Sequence, residues 1–85
     1  MIDPATIPTV TMPIGAMPAI GLGTFGSDHI DHDTVAVTVA DAIAAGYRHI
    51  DCASVYGNEA AIGKQLATIA DHTVPRDELW ITSKV

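Results

Sequence analysis

The fold of this chain is decided by residues 33–53, which read DTVAVTVADAIAAGYRHIDCA. The apolar residues of the first part recur at helical spacing, at Val35, Val39, Ala42 and Ile43. Gly46 follows as the usual helix stop, because glycine adopts a positive φ without steric strain. The pattern predicts a helix over residues 33–45 and then a strand over residues 49–53. Three residues can cap the start of the helix with a side-chain oxygen: Asp31, Asp33 and Thr34.

Turn residues and apolar runs on either side of this stretch predict the remaining elements. Two short runs, residues 9–12 and 16–17, flank Pro13-Ile14-Gly15 and predict a hairpin, and the prolines around it favour an edge or a cap over a central strand. Residues 19–25 predict a buried strand before the helix. A second helix is predicted from Asn58 or nearby to just before Val74-Pro75, and a third strand over residues 79–85.

The predicted order is a hairpin followed by strand, helix, strand, helix and strand. The strands start about 30 residues apart, the natural length of a βαβ unit, so the fold class is α/β with parallel strands. Spacing alone leaves open a closed (β/α)₈ barrel or a doubly wound open sheet. Neither architecture closes with three strands and two helices, and we therefore expect the chain to be the front portion of a larger fold.

Composition narrows the functional class. The chain has 85 residues, 10 acidic and 4 basic side chains and a formal net charge of −6, which attracts neither nucleic acid nor anionic membranes. Cys52 is the single cysteine, which excludes an intramolecular disulfide and fits a reducing compartment. The sequence contains no apolar run of the roughly 18 residues that a membrane span needs, and no basic signal-peptide region. We expect a cytoplasmic protein with no nucleic-acid or membrane partner.

Chemistry-bearing residues follow each of the three predicted parallel strands. Gly23-Thr24-Phe25 ends the first, Asp51 and Tyr56 belong to the second, and Lys84 ends the third. The carboxyl ends of parallel strands share one rim, so these groups are expected to meet there. An ammonium beside a phenol stabilises the phenolate, and a carboxylate keeps that ammonium charged. Together the three groups make a general acid suited to protonating an oxyanion, as carbonyl reduction by hydride requires.

Ordinary structural explanations exist for each of these residues taken singly. Asp51 can be a structural ion-pair member or a strand-end cap, Tyr56 a half-buried aromatic, and Lys84 a solvated surface lysine. Their joint placement at the ends of adjacent strands favours function.

Three motifs resemble those of the aldo-keto reductase family: Gly46-Tyr-Arg-His-Ile-Asp51-Cys-Ala-Ser-Val-Tyr56-Gly-Asn-Glu59, Gly21-Leu-Gly-Thr-Phe25 and Leu79-Trp-Ile-Thr-Ser-Lys84. The resemblance runs from about Val10 to Val85. It implies a (β/α)₈ TIM barrel of which the chain holds the first three β/α units (residues 19–85), preceded by a hairpin cap (residues 1–18), as a single incomplete domain.

The resemblance also implies a reaction and roles for the residues of the rim. The reaction is the reduction of aldehydes or ketones with NADPH or NADH as hydride donor. Tyr56 is then the proton donor, tuned by Asp51 and Lys84. Gly23, Thr24, Phe25 and Asp51 are expected beside the cofactor. Phe25, Val55 and Tyr56 are expected against the substrate, with Phe25 standing where relatives often carry tryptophan.

Parts of the family's site have no counterpart in the chain, namely a catalytic histidine after the next strand and the phosphate-binding loops. We therefore expect the 85 residues alone to be inactive. Two alternatives remain open at this point: a non-catalytic barrel that binds the nucleotide as a regulatory signal, and an inactive remnant.

Three weaker signals favour no function of their own. His29 and His32 alternate with aspartates and could ligate a metal, but a solvated loop is favoured and no metal is expected. Cys52 is predicted to be a small buried hydrophobe. The G-x-G-x-x-G match at residues 21–26 is rejected as a dinucleotide site because no helix follows at once and Asp28 would repel a pyrophosphate.

Overall fold

A computed structural model of the chain describes residues 2–26 and 30–85. The strands and helices, in chain order, are β1 (Thr9–Met12), β2 (Gly15–Pro18), β3 (Leu22–Gly23), α1 (His32–Ala45), β4 (His49–Asp51), α2 (Glu59–His72) and β5 (Trp80–Thr82). Single turns of 3₁₀ helix lie at Pro4–Thr6, Ser54–Tyr56 and Arg76–Glu78. Within the described ranges, no helix combines the length and apolar character needed to cross a membrane.

The predicted hairpin is present. Strands β1 and β2 pair antiparallel in a two-stranded sheet of their own, with Met12 opposite Gly15, so Pro13 and Ile14 make a two-residue turn. Gly15 has a φ of 147°, which a residue with a side chain rarely adopts.

The three remaining strands form a parallel sheet in the order β3-β4-β5, as the predicted α/β class requires. Each strand is shorter than predicted. Only Leu22 and Gly23 of residues 19–25 pair with β4, and at the start of this segment the amide of Ala19 donates instead to the carbonyl oxygen of Pro8 at 2.7 Å. Beyond β5, Ser54 N still donates to Lys84 O at 2.9 Å, which holds the end of the third strand beside the second.

Helix α1 begins one residue before its predicted start. Of the three candidate caps, Asp31 is the N-cap, and its Oδ1 accepts from the backbone amide of Thr34 at 2.7 Å. Gly46 ends the helix with a φ of 119°. A Cβ at Gly46 would lie 2.2 Å from the carbonyl oxygen of Ile2, so the close approach of the N-terminal segment also demands glycine here.

Both helices pack against one face of the parallel sheet. Ile50 of β4 is fully buried under them, and Leu22 and Ile81, its partners in the register, flank it. The buried core consists of Val35, Val39, Ile43, Ile50, Cys52, Ile62, Ile69 and Leu79. Because successive side chains of a strand alternate between faces, His49 and Asp51 lie on the opposite face, which the helices leave open.

Candidate active site

The site is built at the carboxyl ends of β4 and β5. Asp51 is the last residue of β4, and Lys84 follows β5 by two residues. Lys84 Nζ donates to Asp51 Oδ1 at 2.8 Å and to the carbonyl oxygen of Cys52 at 2.9 Å. The two side chains are about half exposed, 44% for Asp51 and 49% for Lys84. The predicted carboxylate–ammonium pair is therefore formed on the open face of the sheet.

Tyr56 is brought to this pair by the single 3₁₀ turn that follows β4. The turn ends at Gly57, whose φ of 73° fits a glycine. Lys84 Nζ lies 5.5 Å from the centroid of the Tyr56 ring, within the range of a cation–π contact. The structure thus brings together all three residues of the predicted acid.

The ammonium of Lys84 is stabilised in this setting. Its hydrogen bond to the Asp51 carboxylate raises the pKa of Lys84 above the ordinary value of 10.5, and Tyr56 adds a smaller effect in the same direction. Lys84 therefore stays charged at neutral pH and well into the alkaline range. The favourable contribution of this ion pair to folding is present below pH 10.5 and is lost as the pH rises through the folded-state pKa.

The segment after β3 is fixed to the same strand end. Thr24 is 2% exposed, and both its backbone amide and its Oγ1 donate to the carbonyl oxygen of Asp51, at 3.2 and 2.9 Å. Its hydroxyl is thus engaged within the protein. Phe25, which is 70% exposed, packs its ring against that of Tyr56 in a tilted arrangement, with 5.3 Å between the centroids and 53° between the ring planes.

A cleft of about 840 Å³ opens beside Tyr56. Its described lining includes Phe25, Val55, Tyr56 and Asn58, together with His32 at the start of α1. Asp51 and Lys84 do not line it, so Tyr56 is the residue that touches both the cleft and the ion pair. The predicted substrate residues Phe25, Val55 and Tyr56 share this cleft.

Two residues of the site were not singled out for it by the sequence. Asn58, predicted only as a helix opener, is 2% exposed; its Nδ2 donates to the carbonyl oxygen of Thr24 at 2.8 Å, while its Oδ1 is buried with no partner in the described residues. Glu59, the first residue of α2, accepts a hydrogen bond from Ser83 Oγ. Their place directly after Tyr56-Gly57 was the only available signal, since both partners are distant in sequence.

Of the weaker candidates, Cys52 and His32 lie within the described residues, and neither side chain bonds to the Asp51–Lys84 pair. Cys52 packs in the core, and its burial raises the pKa of the thiol, which disfavours a nucleophilic thiolate. His29 lies outside the described residues. His32 borders the cleft, and the parts of the chain that the structure describes hold no group of three or more potential metal ligands.

Comparison with known proteins places this parallel α/β unit, with its carboxylate, phenol and ammonium at one rim, in a family. The family model described as "Aldo/keto reductase family" matches residues 19–85. The chain belongs to the aldo/keto reductase family, which confirms the resemblance of its motifs.

Individual relatives are similar over most of the chain. The chain is 51% identical over 71 residues to Aldo-keto reductase family 1 member A1 of Mus musculus, covering 81% of the chain and 21% of that protein. It is 50% identical over 70 residues to Aldo/keto reductase slr0942 of Synechocystis, covering 81% and 20%. The chain spans about a fifth of the length of these curated relatives.

A solved structure is similar over the whole chain. The aldo-keto reductase of Bombyx mori in complex with NADP superposes with a TM-score of 0.83 and 32% identity, covering 100% of this chain and 28% of that one. This likeness implies that the α/β unit described above corresponds to part of a (β/α)₈ barrel.

Proposed function

We propose that this site serves the NAD(P)H-dependent reduction of aldehydes or ketones to alcohols. The observation that carries the proposal is the position of Lys84 Nζ, bonded to Asp51 Oδ1 at 2.8 Å and 5.5 Å from the centre of the Tyr56 ring. Membership of the aldo/keto reductase family supports it.

Tyr56 is the proton donor in this proposal. Reduction of a carbonyl leaves a negative charge on the oxygen, which must be protonated as it develops. When Tyr56 gives up its proton, the positive charge of Lys84 beside the ring stabilises the phenolate. Asp51 holds that ammonium in place and keeps it charged, so the support of the phenolate does not require a rearrangement.

The residues of the rim fit the nicotinamide end of a dinucleotide. A Cβ built at Gly23, next to Asp51 in the register, would meet nothing within 4 Å, so this part of the open face has room for a ligand. Asp51 uses Oδ1 for Lys84, and its half-exposed carboxylate keeps Oδ2 for a hydroxyl donor such as a ribose. The dinucleotide supplies a hydride when it is bound. Gly23, Phe25 and Asp51 contact it in this proposal, and Thr24, whose hydroxyl, amide and carbonyl all have partners within the protein, holds Gly23 and Phe25 in place beside it.

The substrate is a small carbonyl compound held between apolar walls. Phe25 and Val55, which are 70% and 84% exposed, line the same cleft as Tyr56, and such exposed apolar side chains at a cleft mark a ligand-contacting surface. The NADP in the Bombyx mori structure supports NADPH as the donor, with NADH as the alternative.

The 85-residue chain alone is expected to lack turnover. The sheet face that carries Asp51 and Lys84 is open to water, and solvent weakens the electrostatic support that the ammonium gives to the phenol. Incubation of the chain with NADPH and an aldehyde should leave the NADPH absorbance unchanged, and steady oxidation would contradict this expectation.

The site itself is tested in a grafted reductase, in which residues 19–85 replace the corresponding segment of the mouse relative. Changing Tyr56→Phe removes the donor hydroxyl and should lower the rate of NADPH oxidation by roughly 10²–10⁴-fold. Tyr47→Phe is the matched control, because Tyr47 follows α1 and lies outside the site. Equal activities of the two variants would refute the role of Tyr56.

We also propose that residues 1–18 cap the amino ends of the parallel strands within one domain with residues 19–85. The carbonyl oxygen of Pro18 in β2 accepts a hydrogen bond from His49 at the start of β4, at the end of the strand away from Asp51. Deletion of residues 1–18 should therefore lower the unfolding temperature, as followed by circular dichroism.

A further inference from the structure

His49 connects three elements of the fold. Its Nδ1 lies 3.0 Å from the carbonyl oxygen of Pro18 in the hairpin, and its Nε2 lies 2.8 Å from Oγ1 of Thr82 in β5. The residue itself belongs to β4. One imidazole thus ties the hairpin and β5 to the strand that ends in Asp51.

The chemistry of the two partners sets the tautomer of this ring. A carbonyl oxygen accepts and cannot donate, so the Nδ1 that faces Pro18 must carry a hydrogen. In the neutral ring Nε2 is then bare and accepts from the hydroxyl of Thr82. A free imidazole side chain has no such constraint, and the Nδ1–H form therefore reports directly on this contact.

The ring is held by close packing as well as by hydrogen bonds. A Cβ at Gly21 would lie 3.0 Å from Cγ of His49, so glycine leaves the space that the imidazole fills. The ring of Trp80 also packs against the imidazole in a T-shaped arrangement, with 6.5 Å between the ring centroids. The imidazole is therefore confined as well as bonded.

The hydrogen bond between His49 and Thr82 lies next to the Asp51–Lys84 pair, on the same face of the sheet. His49 precedes Asp51 by two residues and Thr82 precedes Lys84 by two, so all four side chains project from the same face of the sheet. His49 is opposite Trp80 and Asp51 is opposite Thr82 in the register. The hydrogen bond between His49 and Thr82 therefore limits how far β4 can slide along β5, and this fixes the position of Asp51 relative to Lys84.

We propose that His49, as its Nδ1–H tautomer between Pro18 and Thr82, is a positioning residue that sets the register of the Asp51–Lys84 pair. It takes no part in proton transfer, since it lies at the opposite end of β4 from Tyr56. Its importance for carbonyl reduction rests on the proposed function, whereas its tautomer and its effect on the ion pair do not.

The first measurement is made on the 85-residue chain itself. Long-range ¹H–¹⁵N correlation spectra distinguish a protonated Nδ1 from a protonated Nε2 in each neutral histidine ring. We expect the Nδ1–H form at His49. The exposed His72 at the end of α2 is the internal comparison and should show a mixture of the Nδ1–H and Nε2–H tautomers. An Nε2–H form at His49 would overturn the proposal.

The second measurement follows Lys84 in a pair of variants. The amide of His49→Asn can replace Nδ1 towards Pro18 but cannot reach Thr82, whereas His49→Gln can reach Thr82. We expect the pKa of Lys84 to fall towards 10.5 in His49→Asn and to stay closer to its original value in His49→Gln. His72→Asn is the control, and circular dichroism verifies that the helices persist.

These outcomes separate the proposal from a general packing role and from the proposed function. An unchanged Lys84 pKa in a folded His49→Asn chain contradicts the positioning role. If that variant loses its helices, Thr82→Val removes the same hydrogen bond from the other side and is held to the same expectation. Neither result depends on whether Tyr56 donates a proton, which the grafted reductase tests on its own.

Discussion

The two faces of the parallel sheet differ in what covers them. On one face Ile50 is completely buried beneath α1 and α2. On the other face Asp51, the next residue of the same strand, is 44% exposed and bonded to Lys84. Because side chains alternate along a strand, the three residues of β4 contribute to both faces: Ile50 to the covered face, and His49 and Asp51 to the open one.

The difference shows how this short chain separates stability from chemistry. Burial of apolar side chains under the helices is the dominant favourable contribution to folding. The open face gains little from its exposed ion pair, because solvent screens it, yet that same exposure makes the pair accessible to a ligand. Substitutions on the two faces should therefore affect different measurements.

The largest expected effect is on the covered face. Ile50→Ala removes a fully buried side chain and should lower the free energy of unfolding by about 2–5 kcal/mol, while Ile50→Val should cost about 0.5–1.5 kcal/mol. Urea unfolding followed by circular dichroism measures both. Ile14→Ala, at an 86% exposed position of the hairpin turn, is the control and should change stability by less than about 0.5 kcal/mol. Equal effects at positions 14 and 50 would mean that the helices do not cover this face.

The open face should show the reverse behaviour. In the grafted reductase, Lys84→Met removes the charge beside Tyr56 and should reduce kcat by about 10²-fold. Its unfolding midpoint should hardly move, because the lost ion pair is exposed. Lys64→Met, on the exposed surface of α2, is the matched control. A large loss of stability without loss of kcat would assign Lys84 to the structure instead of the site.

The regular elements were predictable because their causes are local. The apolar stripe of residues 33–45 and the stop at Gly46 gave α1 to within one residue, with Asp31 as the cap. Strand ends depend on pairing with distant residues, and the prediction for residues 19–25 was therefore too long: only Leu22 and Gly23 pair.

The candidate site was predictable as far as the rim of a parallel sheet determines it. Asp51, Tyr56 and Lys84 meet because strands of one direction end at one edge. Asn58 and His49 form their side-chain hydrogen bonds with residues 31–34 positions away, to Thr24, Pro18 and Thr82. Such partners follow from the folded arrangement and leave no pattern in the local sequence.

A smaller effect on stability is expected at Asn58, which links the start of α2 to the segment after β3. Asn58→Ala breaks the hydrogen bond to the carbonyl of Thr24 and also removes the unpartnered Oδ1, so the net loss of stability should be about 1 kcal/mol. Gln65→Ala on the same helix is the control. If the Asn58 variant is as stable as the control, the contact with Thr24 does not hold the loop against α2.

The smallest expected effect is on the acid stability of α1, at its N-cap outside both faces of the sheet. The backbone amide of Thr34 donates to Asp31 and holds the pKa of Asp31 below its ordinary value of 3.8. A lowered folded-state pKa means that this cap stabilises the helix above pH 3.8 and is lost as the pH falls through the folded-state value. Asp31→Asn keeps an oxygen acceptor but cannot titrate. The helical circular dichroism of the Asn variant should therefore fall less between pH 4 and pH 2 than that of the native chain. Asp71→Asn, near the end of α2, is the control for removing one negative charge, and an equal benefit from it would show that net charge, and not the cap, governs the acid response.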